Sequence, residues 1–255
     1  MTAASSNHAG PLRHLLASLQ RLDADVVCYD LGVTPAEIDV LPRWSRLTIR
    51  SFDYAAHPPH MNVQVNAGEY AWKPVIVADV ADAERRSPSP RHVLWADAGS
   101  YFEALEPIAD AIDRSGGIWL RRSSGTVADW THPGMFAFLG EDGSRFADRP
   151  NADATLVGLA TGHASAGVRD AAYRDIIAPW AACANARDCI APAGSSRRNH
   201  RQDQAVLTYL VHKAGHPFAA ATRTALKVRC KCDRWFYRYI GFNVPASLYS
   251  RCCLY

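Results

Sequence analysis

The stretch Arg91-His92-Val93-Leu94-Trp95-Ala96-Asp97-Ala98-Gly99-Ser100-Tyr101 decides how the rest of the chain reads. An apolar run of strand character, Val93 to Ala96, stops at one carboxylate, and two small residues follow at once. In an open α/β sheet, ligands collect just beyond the carboxyl ends of the strands. Asp97 at such an end, with Ala98 and Gly99 leaving room for a bulky anion, suits a metal–phosphate site. It equally suits a cap for the next helix or turn, and at this point both readings stand.

Working outward toward the N-terminus, Asp25-Val26-Val27-Cys28-Tyr29 reads as a buried strand ending in Asp30-Leu31-Gly32, and Leu47 to Phe52 alternates as another. Between them Thr34, Pro35 and Glu37 have the spacing of a capped short helix. Leu12, Leu15, Leu16 and Leu19 fall on one helical face, with Pro11 in the first turn. Residues Ala3 to His8 then form a loop leading into that helix, a place that can bind an anion or a nucleotide. The pattern is β–α–β, the doubly wound kind of α/β fold.

Toward the C-terminus the reading continues in the same manner. Asp53 to Met61 is a polar loop, and its histidines, His57 and His60, have no carboxylate at a metal-ligand spacing. Pro74 suits a first helical turn, which places Lys73 at the mouth of that helix. Leu105, Ile108, Ala109 and Ile112 make another helical face. Gly116-Gly117 turns into the strand Ile118–Leu120, and Phe136 to Leu139 is buried by composition. Leu156 to Ala160 is a strand running into Thr161-Gly162-His163-Ala164-Ser165-Ala166-Gly167. That is one residue away from a nucleophile elbow, which needs glycine where His163 stands, so a serine hydrolase is excluded. His163 reads as a substrate contact or as a hydrogen-bonded structural residue.

A helix over Val168 to Trp180 follows, and then Pro192-Ala193-Gly194-Ser195-Ser196-Arg197-Arg198-Asn199-His200-Arg201-Gln202-Asp203-Gln204. The apolar face Val206, Leu207, Leu210 and Val211 puts Asp203 and Gln204 in a first helical turn. The helix dipole accounts for Asp203 by itself. It does not account for three arginines, a histidine and an amide pair gathered around it, and that cluster points to a binding site.

Bulk properties narrow the function classes. The 255 residues are 48% hydrophobic and 21% charged, with a net charge of +3. That balance describes an ordinary globular chain and is too weakly basic to argue for nucleic acid. From Lys227 onward bases and aromatics interleave (Arg229, Lys231, Arg234, Trp235, Phe236, Tyr237, Arg238). A packed C-terminal subregion that also reaches a phosphate explains them better than base stacking. No window reaches the roughly 18 apolar residues of a membrane span, and the first residues lack the pattern of a signal peptide. The seven cysteines have no zinc spacing. A Cys183–Cys189 loop disulfide and a reduced chain are both compatible with them.

Five stretches taken in order carry a resemblance. They are Thr2-Ala3-Ala4-Ser5-Ser6-Asn7-His8, Tyr29-Asp30-Leu31-Gly32, Tyr70-Ala71-Trp72-Lys73-Pro74, Leu94-Trp95-Ala96-Asp97-Ala98-Gly99-Ser100 and His200-Arg201-Gln202-Asp203-Gln204. The set resembles the nucleotide-sugar glycosyltransferases of the GT-A fold. The resemblance implies an α/β architecture over residues 1–213, a single GT-A-like domain with a Rossmann-like, mostly parallel mixed sheet flanked by helices. Residues 214–255 would be a basic, aromatic and Cys-containing extension packed on it.

It also implies a site. A uridine- or guanosine-type base would lie near Ala4, Ser5, Asn7 and Asp30, with Lys73, Asp97, Gly99, His163 and Arg201 along the sugar nucleotide. Asp97 would hold manganese or magnesium on the diphosphate, although Asp97-Ala98-Gly99 has glycine where the family has its second carboxylate. Lys73, Arg197 and Arg198 are an alternative source of positive charge. Asp203 and Gln204 would be catalytic. Asp203 would act as general base if configuration inverts, and the two would orient the donor and stabilise an oxocarbenium-like state if it is retained. The implied partners are a nucleotide-sugar donor and a glycan or other hydroxyl acceptor, with no nucleic acid. The competing reading is a non-catalytic sugar-nucleotide or glycan-binding module of the same fold.

Overall fold

The computed structural model describes residues 1–219 and the strand backbones at 225–231 and 234–238. In order, the regular elements are β1 (Thr2–Ala4), α1 (Ala9–Arg21), β2 (Val26–Asp30), α2 (Pro35–Asp39), β3 (Leu47–Ser51), α3 (Trp72–Arg85), β4 (Val93–Ala96), β5 (Ser100–Phe102), α4 (Glu106–Asp113), β6 (Ile118–Thr126), α5 (Val127–Trp130), α6 (Pro133–Leu139), β7 (Pro150–Leu159), α7 (Ala166–Ala172), α8 (Ala178–Asn185), α9 (Arg187–Ile190), α10 (Gln202–Lys213), β8 (Ala225–Lys231) and β9 (Arg234–Arg238). None of the described helices is long and apolar enough to cross a membrane.

The chain divides into two compact units interleaved in sequence. One comprises Met1–Ser51, Ala96–Ile108 and Ala221–Tyr255, and the other Phe52–Trp95 and Ala109–Ala220. In the first unit β1, β2 and β3 form a parallel sheet in sequential order. The segment expected as a loop from Ala3 is therefore a strand up to Ala4. Three residues are too few to show a period, but their backbone groups gain partners by pairing Thr2 with Cys28 and Ala4 with Asp30. Helix α1 buries Leu12, Leu15, Leu16 and Leu19, the apolar face its spacing predicts. Its one buried hydroxyl, Ser18 Oγ, donates to the Leu15 carbonyl at 2.7 Å and accepts the Phe102 amide at 3.2 Å, which ties β5 to the helix. The capped short helix is present as predicted, with reciprocal bonds between Thr34 and Glu37.

Strand β5 has no separate sequence signal. It pairs antiparallel with β8, which pairs antiparallel with β9. With β5, the strands of the C-terminal stretch thus form a second, antiparallel sheet, separate from β1-β2-β3. The basic and aromatic side chains singled out there and the side chain of Cys230 are not described, and Cys232, Cys252 and Cys253 lie outside the described residues.

The second unit is built on the sheet order β4-β7-β6, with β6 and β7 antiparallel. Trp95, Trp119, Trp180, Tyr209 and Met61 fill the unit's core. The helix expected over 168–180 is interrupted by a π-helical turn at Tyr173–Ile177, just ahead of Pro179 in the first turn of α8. Proline has no amide hydrogen and its ring crowds the preceding turn, so the helix must loosen there. Phe136 is buried, but Phe138 is 50% exposed, because α6 turns only one face inward. A disulfide between Cys183 and Cys189 joins α8 to α9.

Candidate functional site

In the first unit, parallel pairing brings the carboxyl ends of β1 and β2 side by side, Ala4 opposite Asp30. This gathers Ala4, Ser5, Asn7 and Asp30 at one sheet edge, where ligands bind in open α/β sheets. The edge is ordered by its own polar groups. Asp30 Oδ1 accepts the amides of Gly32 at 2.7 Å and Val33 at 2.6 Å. Ser5 Oγ donates to Asn7 Oδ1 at 2.7 Å, and Ser6 Oγ reaches the Gly32 carbonyl and Glu37. Asp97 and Gly99 lie in the short turn from β4 to β5. The turn begins beside β1, since the Ala96 amide donates to the Met1 carbonyl at 3.0 Å, and it is closed by the Ser100 amide on the Asp97 carbonyl at 2.9 Å.

A divalent cation held by protein groups needs several oxygen, nitrogen or sulfur ligands at once. Among the described residues, no group of three or more His, Cys, Asp or Glu side chains could hold a metal ion. Asp97, with Gly99 two residues on, would hold a cation only together with phosphate oxygens and water.

The second unit concentrates its unusual chemistry where α3 and α10 begin. Lys73 and Asp203 are buried, 4% and 5% exposed, and form an ion pair at 2.8 Å. Lys73 Nζ also donates to the Ala154 carbonyl at 3.2 Å and lies 5.5 Å over the Trp95 ring. The sequence places Lys73 at a helix mouth, and the resemblance makes it a contact for the phosphates or the donor. In the structure its charge is directed at Asp203. The backbone carbonyl of Asp203 accepts from Trp180 Nε1 at 2.8 Å. Next to it Gln204 is buried, and its Nε2 has no hydrogen-bond partner among the described residues.

Backbone strain frames this pair. Asn66, Ala67, Gly68, Glu69 and Tyr70 all have φ between 47° and 63°, a single left-handed turn leading into α3. L-residues in that region cost about 1–2 kcal/mol each. A Cβ on Gly68 would sit 2.3 Å from the Met61 carbonyl oxygen, so only glycine fits. Trp72 Nε1 donates to the Ala67 carbonyl at 3.0 Å and helps hold the turn. Gln202, the first residue of α10, has φ 35°, and its Nε2 donates to Glu69 Oε2 at 3.2 Å. The two strained segments are thus bonded to each other, and each just precedes one member of the Lys73–Asp203 pair in the chain. Strain of this kind collects at functional sites when the surroundings enforce it.

The entrance to α10 is fixed from below by two histidines. His200 is fully buried, its Nε2 on the Ile190 carbonyl at 3.0 Å and its Nδ1 accepting the His132 amide at 3.2 Å. These partners require a proton on Nε2 and none on Nδ1. Burial accordingly pushes the imidazole down to about 4. The folded state binds this proton less readily than the unfolded chain does. Its contribution is therefore complete above the ordinary histidine value near 6.5 and is lost as pH falls toward 4. Urea unfolding should show about 2–3 kcal/mol less stability from His200 at pH 4.5 than at pH 7.5. A His200→Gln variant should lose that share of the pH dependence.

The remaining expected residues are placed as follows. Arg201 stacks over Trp130 at 3.9 Å, and its amide donates to the Trp130 carbonyl at 3.0 Å. Arg197 lies over Tyr70 at 5.1 Å. His163 Nδ1 accepts the Ser165 amide at 3.0 Å, closing the loop before α7, so its observed partner is structural. Sequence reasoning assigned no site role to Glu69, Trp180 or His132, and took His200 and Gln202 only as members of the polar cluster around Asp203. Each acts through a partner distant in the chain, and no local spacing marks such contacts.

No protein-family model matches the chain, and no curated protein matches it. Among solved structures, it is similar to galactosyltransferase LgtC in complex with donor and acceptor sugar analogs, at 15% identity and a TM-score of 0.45 over 81% of this chain and 68% of that one. It is similar to the apo bifunctional glycosyltransferase WbbM at 11% identity and a TM-score of 0.48, over 86% of this chain and 38% of that one. A third is mouse xyloside xylosyltransferase 1 in its apo form, at 12% identity and a TM-score of 0.47, over 86% and 83% of the two chains. All three scores are below 0.5, and the α/β class stands on the strands and helices themselves.

Proposed function

We propose that the chain is a glycosyltransferase, moving a hexosyl or pentosyl unit from a nucleotide-diphosphate sugar to a hydroxyl of a glycan or other acceptor. The five ordered sequence stretches support it. So does the polar edge formed by Ala4, Ser5, Asn7 and Asp30 at the ends of β1 and β2, which is the reading for the nucleotide.

The observation that carries the transfer step is the first turn of α10. Asp203 is held in a buried pair with Lys73, and Gln204 Nε2 is buried with no partner among the described residues. A proton taken by Asp203 would leave a buried lysine without its counter-charge, which is costly. Asp203 is therefore a poor general base and a good anchor. Gln204 then touches the donor, its amide donating to a sugar hydroxyl or phosphate oxygen as charge develops. This favours donor orientation and oxocarbenium stabilisation over base catalysis by Asp203.

A non-catalytic sugar-nucleotide or glycan-binding module would use the same groups without turnover. Screening UDP- and GDP-sugars by thermal shift and by release of free nucleotide, with and without manganese, separates the two. A donor that raises Tm and is consumed supports transfer. One that raises Tm and is recovered intact favours the module, and no response to any donor contradicts both.

A further inference from the structure

Within the second unit, α5, α6 and the turn after α6 enclose a cleft of about 410 Å³ that shares no residue with the donor or transfer groups. A volume of a few hundred Å³ suits a small molecule. Val127, Pro133 and Phe136 make much of its wall apolar, and Thr131 lines it as well. Thr131 is only 7% exposed, and its hydroxyl is buried with no hydrogen-bond partner among the described residues. A buried hydroxyl left in that state costs about 1–3 kcal/mol, and a ligand group that bonds to it recovers the loss.

Charge narrows the ligand further. Two carboxylates line the cleft, Glu141 held by Lys213 and Asp142 held by Ser144. Their presence disfavours an anion, and their partners leave little to attract a cation. We infer that this cleft binds a small uncharged molecule with an apolar aryl or alkyl body and one hydroxyl, anchored on Thr131 Oγ1. The anchor lies in a significant place. Its neighbours Trp130 and His132 are the backbone partners of Arg201 and His200, so the ligand would sit on the segment that fixes the start of α10.

The test uses p-cresol and toluene, alike in body and different in the hydroxyl, titrated into the isotope-labelled full chain by NMR. The expected result is at least tenfold tighter binding of p-cresol, with shifts centred on Ala128 and Ala137. Thr131→Val should fold with undiminished stability and bind the two probes within twofold of each other. Ala137→Leu, at an exposed position on the cleft wall, should weaken both. Equal affinity of the wild type for the two probes, a p-cresol preference that survives Thr131→Val, or shifts centred elsewhere would overturn the inference. So would a Thr131→Val chain that unfolds more easily, since its hydroxyl would then already be bonded.

Discussion

Replacing Lys73 with methionine lowers the free energy of unfolding by about 3–5 kcal/mol, the cost of leaving one buried charge without the other. The pair is 2.8 Å apart, and its side chains are only 5% and 8% exposed, so water cannot take over the role of the lost partner. The Ala154 carbonyl loses its Lys73 donor in the same step. Asp203→Leu should be destabilising for the mirror reason. The double variant Lys73→Met/Asp203→Leu should recover most of the loss, because well-packed apolar groups replace buried ion pairs at little cost. Chemical unfolding of the four proteins closes that cycle. Additive losses would mean that the two charges do not depend on each other.

Replacing Gln204 with methionine has the opposite signature. It keeps the length of the side chain and removes a buried amide nitrogen that has no partner among the described residues. Stability should therefore stay level or rise. If that amide meets the developing charge of the transfer step, turnover should fall by about 10²–10³-fold, the usual loss for one preorganised donor. Urea unfolding and steady-state kinetics on the same preparation read the two effects separately. A variant that loses stability and activity in parallel would make Gln204 a structural residue.

The contrast between these two neighbours shows what was legible in the sequence. Local patterns were sound guides: the Thr34–Glu37 spacing, the alternation of β3, the apolar face of α1, and the place of Asp203 and Gln204 in a first helical turn all stand in the structure. The adjacency of Ala4 and Asp30 follows from the pairing of β1 with β2, which local pattern did not carry.

Non-local contacts left no trace in local pattern. Strands β1 and β5 are three residues each and are defined only by partners elsewhere in the chain. Four of the five residues in the left-handed turn are not glycine, so composition could not announce it. Pro74 placed Lys73 at a helix mouth, but its pairing with Asp203 of α10 and the Ala154 carbonyl of β7 has no local signal. The π-helical turn just ahead of Pro179 breaks the helix expected over 168–180, and the proline, which lacks an amide hydrogen, is its one local signal.

The central claim is sugar transfer governed by the first turn of α10. The most direct measurement is the release of nucleoside diphosphate from a panel of UDP- and GDP-sugars, wild type and Gln204→Met side by side at matched folded concentration. The account predicts one donor that the wild type consumes and that Gln204→Met consumes at least a hundredfold more slowly, on the order of a single lost transition-state contact. Equal rates in the two proteins, or a donor that binds both and is returned intact, would contradict it.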